Sequence, residues 1–339
     1  MNYIRKRPKI LLIADRPDWA YDHICHFIID ELSKDYDFYI DYLAYHYKGK
    51  AINIRQWLGN KRNYFKSCLK RKILKEGNIS YDLICFLGWY FPFTADFNIK
   101  AKGSIQGIFT EGFPPKGYTI SGDIDIETFV KKYLNKSLAI IAGSKGIYDT
   151  YSPHIKNLYY ATGAIDTNLF QFYKKNKTIK KSLVVGWTGD PNRSFKGFYD
   201  YVIPAVKKAS LLRPEIYLKT RFRGSFKTLP MFYKDIDIML IASSADAGPS
   251  SFIEAGSCGI PSISTKIGIP SETIEHGRNG LIVERSIEVM SQALVYLYDN
   301  RDILYNMSIQ IRNDIVNRWG YKSRIYLWRN LFHDVLKKI

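Results

Sequence analysis

Three observations predict an α/β protein made of two doubly wound, Rossmann-like domains. Short apolar runs of strand length alternate with helical patterns twice over, the chain is longer than one ordinary core, and a lysine-rich tract with no buriable face separates the two series. At 339 residues, two cores are the default expectation. Lys9–Ala14, Phe38–Leu43, Leu83–Leu87, Ile105–Phe109 and Leu138–Ala142 read as strands of one parallel sheet, because strands covered on both faces become apolar runs without alternation. Trp19–Leu32 and Ser144–Tyr151 carry helical spacing between them. A second series follows at Leu183–Trp187, Glu215–Leu218, Asp237–Ile241, Ser262–Thr265 and Leu281–Val283. The boundary falls within 168–181, where Lys174–Lys181 reads as a surface linker. The expected division is therefore 1–167, 168–320, and a terminal helix 321–339 with Tyr326, Trp328, Leu331, Phe332 and Val335 at helical spacing.

Composition narrows the class. Hydrophobic residues at 46% beside 24% charged residues suit a globular protein with ample core. No apolar run approaches the ~18 residues of a membrane span, and Met1–Arg7 lacks the apolar centre of a secretory signal, so a cytoplasmic location is expected. Cys25, Cys68, Cys85 and Cys258 form no C-x-x-C pair, which favours reduced, buried thiols over a zinc site.

The net charge of +18 is unevenly distributed. Between Lys48 and Lys75 bases dominate, among them Lys61, Arg62, Lys66 and Lys70, and they are interleaved with Trp57, Leu58 and Phe65. A basic amphipathic segment of this kind answers to nucleic acid, to an anionic membrane surface or to an anionic acceptor, or else it is a solvated face.

The densest motif lies in the second series. Asp246-Ala247-Gly248-Pro249-Ser250-Ser251-Phe252-Ile253-Glu254 follows the apolar run ending at Ile241 and leads into a helical pattern reaching Cys258. A strand-to-helix turn containing Gly248 and Pro249 presents the backbone N–H groups of Gly248, Ser250 and Ser251 to an anion, and a diphosphate suits the positive end of a helix. Glu254, farther along the helix, offers a carboxylate to vicinal hydroxyls such as those of a ribose. A second turn, Gly186–Phe198, places Gly189 after a strand and Lys196 at the next helix start, with Arg193 between them. A glycine turn followed by a cation suits a diphosphate whose charge grows as a bond to it breaks. Arg221, with Arg223 and Gly224, lies in a loop able to cover a nucleotide or to remain surface charge.

These residues together resemble the retaining glycosyltransferases of family 4, whose GT-B fold carries the signature Glu-Gly-Phe-(Gly/Pro)-x-x-x-x-Glu-Ala-x-x-x-Gly-x-Pro. The chain matches it at Gly248, shifted by one place, and at Pro249, Glu254, Ala255, Gly259 and Pro261, with Asp246 as the first acid. Gly163–Phe170 resembles the family's hinge entry, and Phe109-Thr110-Glu111-Gly112 resembles its Thr-x-His-Gly site with Glu111 near the histidine position. Asp190 stands where the family usually has arginine, which leaves Arg193 as the nearest substitute.

The resemblance implies two domains facing a cleft, a terminal helix crossing back to the first domain, and sugar transfer with retention from a UDP- or GDP-sugar to a hydroxyl of a glycan, lipid-linked or protein-borne acceptor. No further cofactor and no metal are implied. By the same resemblance Lys196 and Arg193 offset diphosphate charge, Asp246 and Glu111 meet sugar hydroxyls, Gly189, Gly248, Pro249, Ser250, Ser251 and Arg221 line the donor site, and Glu254 holds the ribose. Residues 48–75 then suit peripheral contact with the anionic inner face of a membrane. Two other readings stay open: a catalytically degenerate nucleotide-sugar-binding relative, because three positions depart from the pattern, and, less favoured, a nucleic-acid-binding protein.

Overall fold

The computed structural model describes residues 7–46, 79–95, 97–115, 120, 122–172 and 182–339. The basic segment 48–75, Cys68 and the tract Lys174–Lys181 lie outside these residues.

Strands β1 (Lys9–Ala14), β2 (Asp37–Tyr42), β3 (Tyr81–Phe86), β4 (Ala101–Ile108), β5 (Ala139–Ala142) and β6 (Leu158–Tyr160) form one parallel sheet in the order β2-β1-β3-β4-β5-β6. Strands β7 (Leu183–Thr188), β8 (Ile216–Arg221), β9 (Ile238–Ile241), β10 (Ser262–Ser264) and β11 (Leu281–Ile282) form a second parallel sheet in the order β11-β10-β9-β7-β8. Every strand expected from an apolar run is present within a few residues. β6 was not expected; its three residues, Leu-Tyr-Tyr, are too short to show a pattern.

The chain divides into two compact units. One comprises Met1–Gly143, Ile147–Thr162 and Ile325–Ile339; the other comprises Ser144–Gly146 and Gly163–Arg324.

In the second unit the apolar runs have a direct physical cause. Leu183, Val185 and Trp187 of β7 pack into one cluster with Ile238, Leu240 and Ile263, whereas Val184 joins Met239, Ile241 and Phe252 in another. Both faces of the sheet are thus covered, and a strand so placed has no polar face to present. The helix Arg301–Trp319 buries Leu304, Met307, Ile311, Ile315 and Trp319, a stripe at three- and four-residue spacing. It crosses the helix Ser250–Ser257 closely enough that a side chain at Gly256 would come within 2.7 Å of Ile315.

The first unit is rich in edge-on aromatic contacts. Tyr21 meets Phe91 and Phe109, with ring centroids 5.9 and 5.4 Å apart. Its last element, Ile325–Leu336 of the helix Tyr321–Leu336, buries Trp328, Leu331, Phe332 and Val335. Trp328 donates its indole N–H to the Thr162 carbonyl at 2.9 Å, and Phe332 packs edge-on against Tyr36. Cys25, Cys85 and Cys258 are buried free thiols.

Strand order locates one crevice in each unit. Each sheet grows one way from its first strand and then reverses, between β1 and β3 in the first unit and between β7 and β9 in the second. The loops that leave adjacent strand ends in opposite directions open a gap there, where ligands of such sheets bind.

Candidate functional site

The crevice of the second unit is bounded by the loop after β7 and the loop after β9. Gly189, at φ 146°, leaves β7 under the ring of Trp187, where a side chain would lie 3.3 Å from the indole. The chain then makes a short turn, Ser194–Lys196, closed by Gly197 at φ 67°. A Cβ at Gly197 would meet the Ala242 carbonyl oxygen at 2.7 Å, so only glycine lets this turn lie against the end of β9. The Ser244 N–H donates to the Phe195 carbonyl at 2.8 Å and ties the two loops together. Lys196 and Asp246 are thereby brought into direct contact, with the ammonium donating to the Asp246 carboxylate. Their side chains are only 21% and 13% exposed, so the pair is poorly screened by water yet reachable by a ligand.

After Asp246, Gly248 sits under Ile269, whose side-chain end would lie 2.6 Å from an added Cβ. Gly268 allows this approach, since a side chain there would collide with the Ala247 carbonyl, and the Ile269 N–H donates to that carbonyl at 2.8 Å. The helix Ser250–Ser257 begins after Pro249, with Ser250 and Ser251 half-buried in its first turn. N–H groups of a first turn have no partner within their own helix and point along its axis, here from the rim of the crevice.

Glu254 is buried on that helix and accepts the Tyr233 hydroxyl at 2.6 Å. Burial pushes its carboxyl up to about 7, while the Tyr233 hydrogen bond and the Lys196 charge pull the other way. The same burial, with the Glu254 charge and hydrogen bond, raises the Tyr233 phenol well above its usual value. Lys196, Asp246 and Glu254 are therefore one electrostatic group.

Other expected residues sit differently. Arg193 is exposed and pairs with Asp190 at 3.9 Å, across the base of its own turn. Arg221 folds over the loop that follows β8, donating to the Ser225 carbonyl at 3.0 Å and to the Thr228 hydroxyl at 2.7 Å, so its guanidinium organises that loop. Glu111 belongs to the first unit, half-buried in the loop after β4 beside Gly112 at φ 86°.

Two residues were not anticipated. Tyr233 meets Glu254 from 21 positions away, and Arg285 reaches the Phe195 carbonyl from 90. Neither stands in a local pattern that points to the crevice. Among the described residues, no group of three or more His, Cys, Asp or Glu side chains is arranged to hold a metal ion, and no helix is long and apolar enough to cross a membrane.

Residues 162–300 match the family model described as Glycosyl transferases group 1. A stretch of 103 residues is 28% identical to N-acetyl-alpha-D-glucosaminyl L-malate synthase of Bacillus anthracis, covering 30% of this chain and 27% of that protein. The match thus spans about a quarter of that relative's length. Among solved structures, sucrose-phosphate synthase of Thermosynechococcus elongatus superposes with a TM-score of 0.69 at 13% identity, covering 98% of this chain and 100% of that one. HepE of Anabaena, solved with UDP-glucose, gives 0.66 at 13% identity over 96% and 99%. TarM of S. aureus, solved with UDP, gives 0.58 at 17% identity over 74% of this chain and 55% of that chain. Residues 162–300 thus resemble the group 1 glycosyl transferases, and the fold of the chain is that of the GT-B glycosyltransferases.

Proposed function

We propose that the protein is a retaining glycosyltransferase that moves a sugar from a UDP- or GDP-sugar to a hydroxyl of a glycan, lipid-linked or protein-borne acceptor. The observation that carries this reading is the Lys196–Asp246 pair at the reversal point of the second sheet, with Glu254 in the same electrostatic group. A lysine held by one carboxylate in a half-closed crevice is ready to turn to a diphosphate, and a buried carboxylate beyond it is ready to receive ribose hydroxyls.

In this reading Glu254 accepts from the ribose, the N–H groups at Gly248, Ser250 and Ser251 and the turn at Gly189 hold phosphate, and Asp246 accepts from a sugar hydroxyl once Lys196 leaves it. Pro249 sets the angle at which that first turn faces the donor. The bond from the anomeric carbon to the diphosphate oxygen breaks, and the bond to the acceptor oxygen forms on the same face. The acceptor's proton passes to the departing phosphate, so charge grows on the diphosphate as the old bond lengthens. Lys196 stabilises that charge where it develops. Arg193, beside Asp190, adds a weaker exposed cation, and Arg221 shapes the loop bordering the nucleotide. In the first unit, Glu111 offers a carboxylate to a saccharide hydroxyl.

The deciding experiment incubates purified protein with UDP- and GDP-sugars and follows both thermal stabilisation and the anomeric configuration of the product by NMR. A ligand bound at 100 times its Kd adds about 2.7 kcal/mol of apparent stability. Stabilisation with a product of retained configuration is expected. Inversion overturns the stereochemical part, and stabilisation without turnover in the presence of broad acceptor mixtures turns the reading to a nucleotide-sugar-binding relative.

The basic segment 48–75 gives this enzyme a route to a lipid-linked acceptor. Bases near an anionic bilayer contribute about 1 kcal/mol each and are screened within a Debye length. Co-sedimentation with phosphatidylserine vesicles at low salt is expected for the wild type. It is expected to be lost when Lys61, Arg62, Lys66 and Lys70 are changed to Glu. A wild type that ignores such vesicles points to a water-borne acceptor.

A further inference from the structure

The turn that carries Lys196 is fastened by a residue from the far end of the second unit. Arg285, after β11, donates from Nε to the Ala242 carbonyl at 2.8 Å and from Nη2 toward the Phe195 carbonyl at 3.5 Å. Its guanidinium carbon lies over the Tyr201 ring, 4.0 Å from the centroid. Gly197 closes the arrangement, because a Cβ there would lie 2.9 Å from Nη2 and 3.2 Å from Tyr201. Phe195, whose carbonyl accepts both Arg285 and the Ser244 N–H, immediately precedes Lys196, and Ala242 lies in the loop leading to Asp246. One planar side chain therefore joins the lysine's turn, the carboxylate's loop and the helix that follows the turn. A guanidinium can do this because its donors diverge in one plane while its face stacks on a ring. An ammonium has no such plane.

We propose that Arg285 is a positioning residue for Lys196, fixing the turn so that the ammonium stands where leaving-group charge appears. This rests on the transferase reading above. Arg285 itself makes no contact with the Lys196 ammonium and need not touch the donor. Loosening the turn should spread the ammonium over several positions, and misplacement of a catalytic group lowers turnover more than it lowers ground-state binding.

The test compares Arg285→Ala, Arg285→Lys and Gly197→Ala with wild type. Arg285→Ala should lower kcat about 10-fold while donor KM moves less than about threefold, and Arg285→Lys should restore little of the loss, because it keeps the charge but not the fork. In a Lys196→Ala background the same substitution should cost less than about twofold, since the group being positioned is already gone. Gly197→Ala, which pushes the same three groups apart without removing Arg285, should reproduce the kcat loss.

Hydrogen exchange gives a readout independent of turnover. The amides of Lys196, Gly197 and Ser244, which close the turn and tie it to the loop after β9, should exchange faster in Arg285→Ala. Unchanged exchange at these amides overturns the proposal even in a protein with no detectable transferase activity. So does a full kcat penalty in the Lys196→Ala background. If wild type neither binds nor turns over a nucleotide sugar while exchange at the three amides responds as expected, the transferase reading fails and the fastening role stands.

Discussion

The two crevices of this molecule have the same topology and opposite furnishing. In the second unit the loops after β7 and β9 bring a lysine and an aspartate together with little else to satisfy them, and a buried glutamate lies within reach of the lysine's field. In the first unit, beside the loop after β1, the side chains bind one another. Asp22 is buried there, accepts the Tyr42 hydroxyl at 2.8 Å and the Asp18 N–H at 2.8 Å, and is 3.3 Å from His26. Tyr21 is packed between Phe91 and Phe109, and Arg16 covers Trp19. Asp18 adopts φ 61°, a left-handed conformation uncommon for a residue with a side chain, to deliver its N–H to Asp22. One crevice holds charge that a ligand can redirect, and the other holds charge already committed to the fold. The same substitution, removal of one partner, should therefore act on chemistry in the first case and on stability in the second.

The largest expected effect tests the chemical side. Lys196→Ala should reduce kcat by about 10²- to 10³-fold, the loss found when one preorganised electrostatic contact is removed from a transition state, with a smaller change in donor affinity. Single-turnover rates beside calorimetric donor binding separate the two. A raised KM with near-normal kcat would make Lys196 a uniform binding contact, and the second crevice would lose its distinction from the first.

Glu254→Gln comes next and has two faces. Loss of a charge-assisted hydrogen bond to ribose should weaken donor binding by about 1.5–3 kcal/mol. Without donor the sign reverses. The buried Glu254 carboxyl titrates at about 7 in the folded protein against an ordinary value of 4.5, so the folded state holds the extra proton more tightly than the unfolded one. Its contribution is fully present below pH 4.5 and is lost as pH rises toward 7, a loss of roughly 3 kcal/mol at 1.36 kcal/mol per unit. The ligand-free variant should unfold at a higher temperature than wild type at pH 8 and at the same temperature near pH 4.5. Wild-type donor affinity should fall as pH drops through 7, and the variant should show no such dependence. Thermal melts and titrations at both pH values check each statement, and a pH-independent difference in melting removes the burial-raised Glu254 carboxyl from the account.

The second unit was the more legible of the two in sequence, and the reason is physical. Strands covered on both faces announce themselves as apolar runs, and the turns after them need glycine where packing is close, as at Gly197 against the Ala242 carbonyl and at Gly248 under the Ile269 side chain. Lys196 and Asp246 were therefore visible as residues of interest, although the 50 positions between them hide their contact. Tyr233 and Arg285 were invisible because a tyrosine in an amphipathic helix and an arginine after a strand are what ordinary packing and solvation also produce. Arg193, expected to offset diphosphate charge, and Arg221, expected in a loop able to cover a nucleotide or to remain surface charge, are both engaged by neighbours in their own loops. The first unit gave its strands readily, apart from β6, but its charged loop from Asp15 to His23 carried no sign of the commitment of Asp22 to Tyr42.

The smallest effect tests that commitment. Tyr42→Phe removes one hydroxyl and leaves the ring, which keeps its edge contact with Tyr45 at 5.2 Å. The Asp22 carboxylate retains the Asp18 N–H, so the loss should be about 1–2 kcal/mol, near the lower range for a hydrogen bond to a charged group. For a unit of this size each kcal/mol lowers the melting temperature by about 2–4 °C. Donor binding, kcat and the response to Lys196→Ala should be unchanged, since Tyr42 and its partner Asp22 both belong to the first unit. The informative failure is a melting temperature equal to that of wild type with a lowered KM for the acceptor. That result would mean that Asp22 trades its Tyr42 bond for an acceptor hydroxyl, and that the crevice of the first unit holds its charge in reserve as the second does.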